Sequence, residues 1–266
     1  RAPFFLAVGL VRPHVPLIAP ENCFVPYPEE DVKLPPLLPD DNVPEAALRR
    51  QNMNIWKMDD SQKRQTISAY MASVRFMDQQ VGRLLDALDR LGLRDETIVV
   101  FVSDHGYNLG EHDCWSKVSL WEGSVRIPMI ISSPDEDMKK GISCESITEL
   151  IDLYPTLTEL CGLHAEQPEI LQGNSLVGYM SGENEQRDES LAYTVSYRGT
   201  AATIRTSEWR YTRWGESVES GNEELYNHMA DPEEHKNLAG DPDMQNIMAK
   251  LRKQFELTRS RARNAQ

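Results

Sequence analysis

Apolar residues recur every three or four positions over residues 61–91, a spacing that predicts an amphipathic helix with one buried face. The apolar set is Ile67, Tyr70, Met71, Val74, Met77, Val81, Leu84, Leu85, Leu88 and Leu91. Asp60 or Ser61 can cap the start of this helix, and Gly92 can close its end. A stripe of this kind is typical of a helix that packs on a core.

Three apolar runs predict buried strands at residues 4–8, 97–103 ("TIVVFVS") and 126–132 ("RIPMIIS"). Runs without polar alternation are typical of parallel strands that are covered on both faces. A short helix is expected at residues 152–162, with Asp152 as its cap and Gly162 as its stop. Since strands and helices alternate, we predict an α/β sandwich with a mostly parallel sheet. The proline-rich residues 11–60 are expected to be extended loop.

The pattern changes after residue 180. A polar linker, "SGENEQRDES", precedes the short β-forming runs "LAYTVSY", "AATIRT", "EWRYTRW" and "ELY", which predict a small antiparallel sheet. A last helix should begin at Asp241-Pro242, since proline suits a first helical turn. We therefore predict two domains, an α/β domain over residues 1–180 and a small α+β subdomain over residues 181–266.

Charge and composition narrow the class of function. The chain has 266 residues, of which 28 are basic and 42 acidic, and its net charge of −14 argues against nucleic-acid or anionic-membrane binding. No run approaches the roughly 20 apolar residues of a membrane span. The four scattered cysteines form no CxxC pair, which argues against a zinc site or a dense disulfide framework. Because the chain begins in mid-strand without a signal peptide, we expect it to be a piece of a longer chain.

The first chemical signal is Asp104-His105, where the apolar run 97–103 ends. Ligands of open α/β sheets bind beyond the carboxyl ends of strands. A carboxylate and a neutral imidazole together suit a divalent cation, and Gly106 would permit the tight turn that both need. The alternative is that Asp104 caps the next segment and His105 is an ordinary surface residue.

Two further positive or titratable groups stand near such strand ends. Lys117 follows in "GYNLGEHDCWSK" and could clamp a tetrahedral oxyanion together with a metal ion. His14 lies between two prolines after the first apolar run, which suits an acid or oxyanion contact. Either residue could instead be an ordinary surface or loop residue. Glu111 and His112 are expected to brace the loop by hydrogen bonding.

At this point the chain resembles a known family. "SDHGYNLGEHDCWSK", "FFLAVGLVRPHVPL" and the tail "ELYNHMADPEEHKNLAGDP" are similar to the C-terminal half of type I sulfatases of the alkaline phosphatase superfamily, above all the iduronate-2-sulfatase group. The resemblance implies an alkaline-phosphatase-like fold, with residues 1–180 as the C-terminal part of the catalytic domain. It also implies glycosaminoglycan degradation in a periplasmic, secreted or lysosomal-type compartment.

The resemblance further implies a calcium ion and a formylglycine nucleophile. Asp104 and His105 would be two of the calcium ligands. His14 and Lys117 would contact the sulfate or the bridging oxygen, and Tyr107 and Trp115 would lie near the sugar subsite. None of the four cysteines stands in a C/S-x-P/A-x-R motif. The nucleophile and the remaining ligands are therefore expected in an N-terminal half of the same enzyme.

Three hypotheses of function follow. The first is a sulfuric ester hydrolase that acts on a sulfated carbohydrate such as a glycosaminoglycan uronate 2-sulfate. The second is a phosphonate monoester hydrolase or phosphodiesterase of the same superfamily. The third is a catalytically inactive fragment with an interaction or scaffold role.

Overall fold

The computed structural model describes residues 2–36, 42–47, 57–163, 168, 170–183, 191–196, 199, 201–215 and 222–264. The chain divides into two compact units. The first unit contains Arg1–Pro36, Asn54–Thr97 and Leu109–Glu111. The second unit contains Leu37–Met53, Ile98–Asn108 and His112–Gln266.

The first unit is built on one long helix. It contains α1 (Glu21–Phe24), α2 (Asp60–Arg90) and two 3-10 turns at Glu29–Asp31 and Arg94–Glu96. Asp59 caps α2, because its side chain accepts from the backbone N–H of Gln62 while the Gln62 side chain accepts from the Asp59 N–H. Gly92 follows the helix end with φ of +63°. The predicted helix is confirmed, although its cap is Asp59 rather than Asp60 or Ser61.

Residues 4–8 do not form the predicted buried strand. They lie outside any helix or strand, and the side chain of Phe5 is 87% exposed. A strand requires a hydrogen-bonded neighbour, and residues 4–8 have no strand partner among the residues that the structure describes. The apolar run shows that this segment has side chains suited to burial. It does not specify which strand would pair with the segment.

The second unit begins with a short ribbon and the loop that follows it. Its elements up to residue 181 are β1 (Val99–Val102), β2 (Asn108–Leu109, shared with the first unit), β3 (Trp115–Ser116), α3 (Glu122–Val125), β4 (Met129–Ser132), α4 (Leu153–Leu160) and α5 (Val177–Ser181). β1 pairs with β4 antiparallel, with Val100 opposite Ile131. The expectation that these two runs form parallel strands is therefore wrong for this pair. An apolar run indicates that both faces of a strand can be buried. It does not indicate whether the neighbouring strand runs parallel or antiparallel.

A four-stranded antiparallel sheet and one helix complete the second unit. The sheet has the order β5 (Ala192–Val195), β6 (Ala201–Arg205), β7 (Trp209–Trp214) and β8 (Glu223–Asn227). α6 (Gln245–Asn264) packs its apolar stripe on the sheet. The buried cluster is Ala202, Ile204, Tyr211, Leu225, Met248, Leu251 and Phe255.

These elements match the predicted antiparallel sheet and last helix closely. The 3-10 turn Pro242–Met244 leads into α6, and Asp241 caps it through the N–H of Asp243. The boundary proposed at residue 180 stays a prediction, and most of the expected linker, residues 184–190, lies outside the described residues. In the described part of the chain, no helix combines the length and apolar character that crossing a membrane requires.

Candidate functional site

The side chains of Asp104 and His105 turn toward each other at the end of β1. Asp104 Oδ2 lies 3.5 Å from His105 Nε2, and Asp104 Oδ1 accepts the backbone N–H of His105 at 3.0 Å. His105 Nδ1 lies 2.7 Å from the Gly106 carbonyl, so Nδ1 carries a proton, and in the neutral ring Nε2 is the nitrogen with the lone pair. The Asp104 side chain is 85% exposed. The pair can therefore offer one oxygen and one nitrogen to a single ion.

Gly106 is required here for room rather than for an unusual backbone angle. A Cβ at this position would lie 2.2 Å from the Gly123 carbonyl oxygen and 2.9 Å from that of Arg126. The Gly106 N–H donates to the Ser124 carbonyl at 2.8 Å. The residue after the Asp-His pair thus packs backbone to backbone against α3, which fixes where the pair stands.

Asn108 anchors the next step of the loop. Its side chain is 2% exposed and donates to Ser119 Oγ at 3.2 Å and to Ser124 Oγ at 2.9 Å. A Cβ on Gly123 would lie 2.3 Å from Asn108 Oδ1. Because buried polar groups are costly to leave unpaired, these contacts specify one arrangement of the loop.

The loop around Lys117 has an uncommon backbone. Ser116 and Val118, on either side of Lys117, have φ of +87° and +83°. His112 and Asp113 also have positive φ, at +54° and +53°. Non-glycine residues avoid this region, and such residues cluster at functional sites. Sequence patterns do not reveal this feature, since neither Ser116 nor Val118 favours the left-handed region.

Glu111 braces the loop by hydrogen bonding, as the sequence predicted. Glu111 Oε2 accepts the backbone N–H of Leu109 at 2.5 Å. The His112 ring, however, is held by stacking, with its centroid 3.9 Å from that of Trp121 and 4.9 Å from that of His235.

Trp115 lies in β3, and both Trp115 and Tyr107 are half-buried. Their expected role near a sugar stays a prediction.

His14 lies in the first unit, on an exposed loop. Arg12 Nη1 donates to the carbonyls of His14 at 2.9 Å and Pro16 at 2.7 Å, which ties the loop together. His14 Nδ1 lies 2.7 Å from the Val15 carbonyl, so Nε2 is the acceptor nitrogen. Asp104, His105, Tyr107, Trp115 and Lys117 belong to the second unit.

A second titratable cluster surrounds Arg210, whose side chain is 1% exposed. Glu122, His228 and Glu234 each offer one possible metal-ligand atom, all within 4.8 Å of one another. Arg210 already pairs with Glu122 and Glu234, and His228 Nε2 lies 2.7 Å from Glu234 Oε1. Burial raises the pKa of Glu234, but Arg210 and His228 outweigh burial and lower it to about 2. The guanidinium therefore supplies the cation that this cluster needs.

Glu224 forms a third polar centre, with its side chain buried in the second unit. It accepts from Trp121 Nε1 at 3.0 Å, from the Tyr226 hydroxyl at 2.7 Å and from Trp214 Nε1. Burial raises the pKa of this carboxyl, against the opposing effect of its three hydrogen bonds. Sequence reasoning missed this centre and the Arg210 cluster, because their members are spread over more than a hundred residues.

The Asp104-His105 pair fits a divalent cation better than the Arg210 cluster does. Its two donor atoms already face each other, the hydrogen bond at Nδ1 leaves Nε2 as the metal-binding nitrogen of the neutral ring, and the carboxylate is exposed to an incoming ion. Calcium takes six to eight ligands, mostly oxygens. The pair therefore suits part of the ligand set of such an ion.

Comparison with known proteins places the chain in one family. The family model "Sulfatase" matches residues 1–163, and the model "N-sulphoglucosamine sulphohydrolase, C-terminal" matches residues 110–261. A sulfatase from Formosa agariphila is 35% identical over 246 residues, covering 90% of this chain and 46% of that protein. Human iduronate 2-sulfatase is 34% identical over 203 residues, covering 61% of this chain and 36% of that protein.

Among solved structures, the phosphonate monoester hydrolase of Silicibacter pomeroyi aligns with a TM-score of 0.78 and 26% identity, covering 95% of this chain and 55% of that one. This likeness, shared with solved sulfatase structures, confirms the alkaline-phosphatase-like fold class. The chain spans about half the length of these relatives, or less. The matching family models cover most of the chain, and the chain belongs to the sulfatase family.

Proposed function

We propose that the complete protein hydrolyses the sulfate ester of a sulfated sugar, with glycosaminoglycan uronate 2-sulfates as the substrate class. One observation carries this proposal: within a chain of the sulfatase family, Asp104 Oδ2 and His105 Nε2 lie 3.5 Å apart where β1 ends. The similarity to human iduronate 2-sulfatase supports the choice of sugar.

Each proposed site residue has a role that its chemistry permits. Lys117 would compensate the charge of the sulfate, and its flanking left-handed residues would hold its backbone in one position. His14 would contact the sulfate or the bridging oxygen, and through Nε2 it could pass a proton to the departing alcohol once protonated. Tyr107 and Trp115 would contact the sugar, since aromatic rings combine an apolar face with a polar edge.

Asp104 and His105 would hold a calcium ion together with carboxylates from an N-terminal half of the enzyme. When bound, such an ion polarises sulfate oxygens as a Lewis acid. The same N-terminal half would carry a formylglycine residue as the nucleophile. The coverage of the relatives supports this partner, since this chain matches only 46% of the Formosa agariphila sulfatase.

Metal removal is the first test. Sulfate release from a sulfated uronate substrate should fall by more than a hundredfold when the complete protein is treated with a calcium chelator, and it should return when calcium is added. Equal activity before and after thorough metal removal would contradict the role of Asp104 and His105.

Substitution of Lys117 is the second test. Lys117→Ala should lower kcat for sulfate esters by about a hundredfold, because a charge that stabilises the transition state is worth roughly 3 kcal/mol in a protected site. Its melting temperature should stay within a few degrees of the wild type. Lys250→Ala, which removes an exposed lysine of α6, is the matched control and should leave kcat unchanged. A stability loss without a kcat loss would assign Lys117 a structural role.

The second candidate function is phosphonate monoester or phosphodiester hydrolysis. The structural likeness to the Silicibacter pomeroyi enzyme over 95% of this chain favours it. A panel of aryl sulfate, phosphate diester and phosphonate esters separates the two functions, because the proposed function requires the largest kcat/KM for the sulfate ester.

The third hypothesis, an inactive fragment, predicts a native protein of about the mass of this chain, 30.3 kDa, with no hydrolysis of any ester.

A further inference from the structure

A small cavity lies within the second unit, beside β5, β6 and the last turns of α6. Its lining includes Tyr193, Val195, Phe255, Arg259 and Arg263, and its volume is about 230 Å³. That is enough for one sugar unit or a small oxyanion, and less than the roughly 300 Å³ or more of a drug-sized site.

The charge around this cavity is opposite to that of the chain. The whole chain carries a net charge of −14, whereas the sequence of α6 contains six basic residues and one acidic residue. Arg259 and Arg263 are four residues apart, so they lie on the same face of the helix. A local reversal of charge of this kind concentrates anions at that surface.

A third arginine packs against one residue of the lining. The Arg213 guanidinium carbon is 4.4 Å from the centroid of the Phe255 ring, which is part of the lining. The Arg213 side chain is 2% exposed, and its Nε and Nη2 have no hydrogen-bond partner among the described residues. Its Nη1 pairs with Glu256 Oε1 at 2.6 Å. Burial raises the pKa of Tyr193, which lines the cavity, whereas the positive charges of Arg259, Arg263 and Arg213 lower it.

The lining combines two chemistries. The guanidinium groups can form paired hydrogen bonds with a carboxylate or sulfate. The exposed or half-buried apolar residues of the lining, Val195 and Ala262, suit an uncharged carbon framework. A sugar that bears one anionic group has both features.

We propose that this cavity is an anion subsite that binds the sulfate or carboxylate group of one sugar unit. Its lining shares no residue with the proposed catalytic set. The choice of a sugar rests on the proposed function, whereas oxyanion binding by the cavity does not. In a sulfated polysaccharide, such a subsite would hold a unit other than the one whose ester is cleaved.

Calorimetric titration of the complete protein tests the proposal. The probes are a 2-O-sulfated uronate-containing disaccharide and inorganic sulfate, each at two salt concentrations. The background variant Asp104→Asn/Lys117→Ala weakens binding at the proposed catalytic residues. In that background, Arg259→Gln/Arg263→Gln should bind the disaccharide about tenfold more weakly, since two charge-assisted contacts are lost. Higher salt should also weaken binding of the parent protein.

Two further variants make the test specific. Arg261→Gln removes a charge from the same helix turn but not from the lining, and it should change affinity by less than twofold. Ala262→Leu fills the cavity without altering charge, and it should weaken binding as much as the double arginine variant. Circular dichroism and melting temperature should be unchanged in both, because Arg261 is exposed and Ala262 is half-buried.

Several outcomes would overturn the proposal. Equal losses in Arg261→Gln and in the double variant would mean general surface attraction, and no loss in either would mean no subsite. If inorganic sulfate binds as tightly as the disaccharide, the sugar contributes nothing to binding. The cavity would then be a site for a small oxyanion only, and the sugar part of the proposal would be wrong. If the protein hydrolyses no sulfate ester but the arginine-dependent binding persists, the proposed function fails and the subsite stands.

Discussion

The buried carboxylate of Glu234 should make the second unit sensitive to acid. Glu234 accepts hydrogen bonds from Arg210, from His228 and, at 2.7 Å, from the backbone N–H of Glu122. Its side chain is 1% exposed. Glu234→Gln keeps the shape of the side chain but removes the charge that Arg210 faces, so it isolates the electrostatic contribution.

The structure sets the size of this contribution. The pKa of Glu234 is lowered from its ordinary value of 4.5 to about 2, because Arg210 and His228 outweigh the cost of burial. One pKa unit corresponds to about 1.4 kcal/mol. The difference between 4.5 and about 2 therefore corresponds to about 3 kcal/mol of folding free energy.

The direction follows from the lowered pKa. A carboxyl whose pKa is lower in the folded state stabilises that state in full above about pH 4.5, where it is charged in both states. The contribution disappears as the pH falls toward about 2, because the unfolded state takes up its proton first. Glu234→Gln should therefore lose about 3 kcal/mol at pH 7 and progressively less below pH 4.5.

Urea unfolding at a series of pH values between 7 and 2.5, followed by tryptophan fluorescence, measures this difference. Glu233→Gln, which removes the exposed neighbouring carboxylate, is the control and should change stability by less than 0.5 kcal/mol. The reasoning is refuted if the wild type and Glu234→Gln differ by the same free energy at pH 7 and at pH 3. A constant difference would show that the carboxylate is not the group that titrates.

Three further predictions concern packing, the loop and a cap. Gly106→Ala should lower sulfate release at least tenfold, because its Cβ would lie 2.2 Å from the Gly123 carbonyl oxygen; unchanged turnover would show that the Asp-His loop moves without cost. Phe255→Ala should destabilise the second unit by about 3–5 kcal/mol in urea unfolding, since the ring is 1% exposed in the sheet-helix core. Asp59→Ala should cost about 1 kcal/mol by removing the cap on the Gln62 N–H, measurable as a small drop in melting temperature.

Periodic patterns of apolar residues predicted helices and strands well where the buried side chains follow the repeat of the element itself. The stripe within residues 61–91 marks α2, and the alternating runs after residue 190 mark β5 to β8 within a residue or two. Local chemistry also predicted the end of β1 as the place where Asp104 and His105 meet, and the structure brings their side chains within 3.5 Å. Each of these features depends on residues that are close together in the chain.

Other features depend on contacts between distant residues. The antiparallel pairing of β1 with β4, and the exposure of residues 4–8, concern which segments become neighbours, and an apolar run carries no such information. The hydrogen bonds that hold Glu224 join it to Trp121, 103 positions away along the chain. No local pattern marks a carboxylate that will be buried in this way.

The sequence by itself determined the helices α2, α4 and α6, the C-terminal sheet, the acidic charge and the Asp104-His105 pair, because periodicity, capping and residue chemistry act over a few residues. Only the tertiary structure decided that Arg210 pairs with the Glu122 and Glu234 carboxylates, that left-handed residues flank Lys117, and that two arginines line one small cavity. Those features arise from packing, which brings charges and backbone together at distances that the order of residues does not specify.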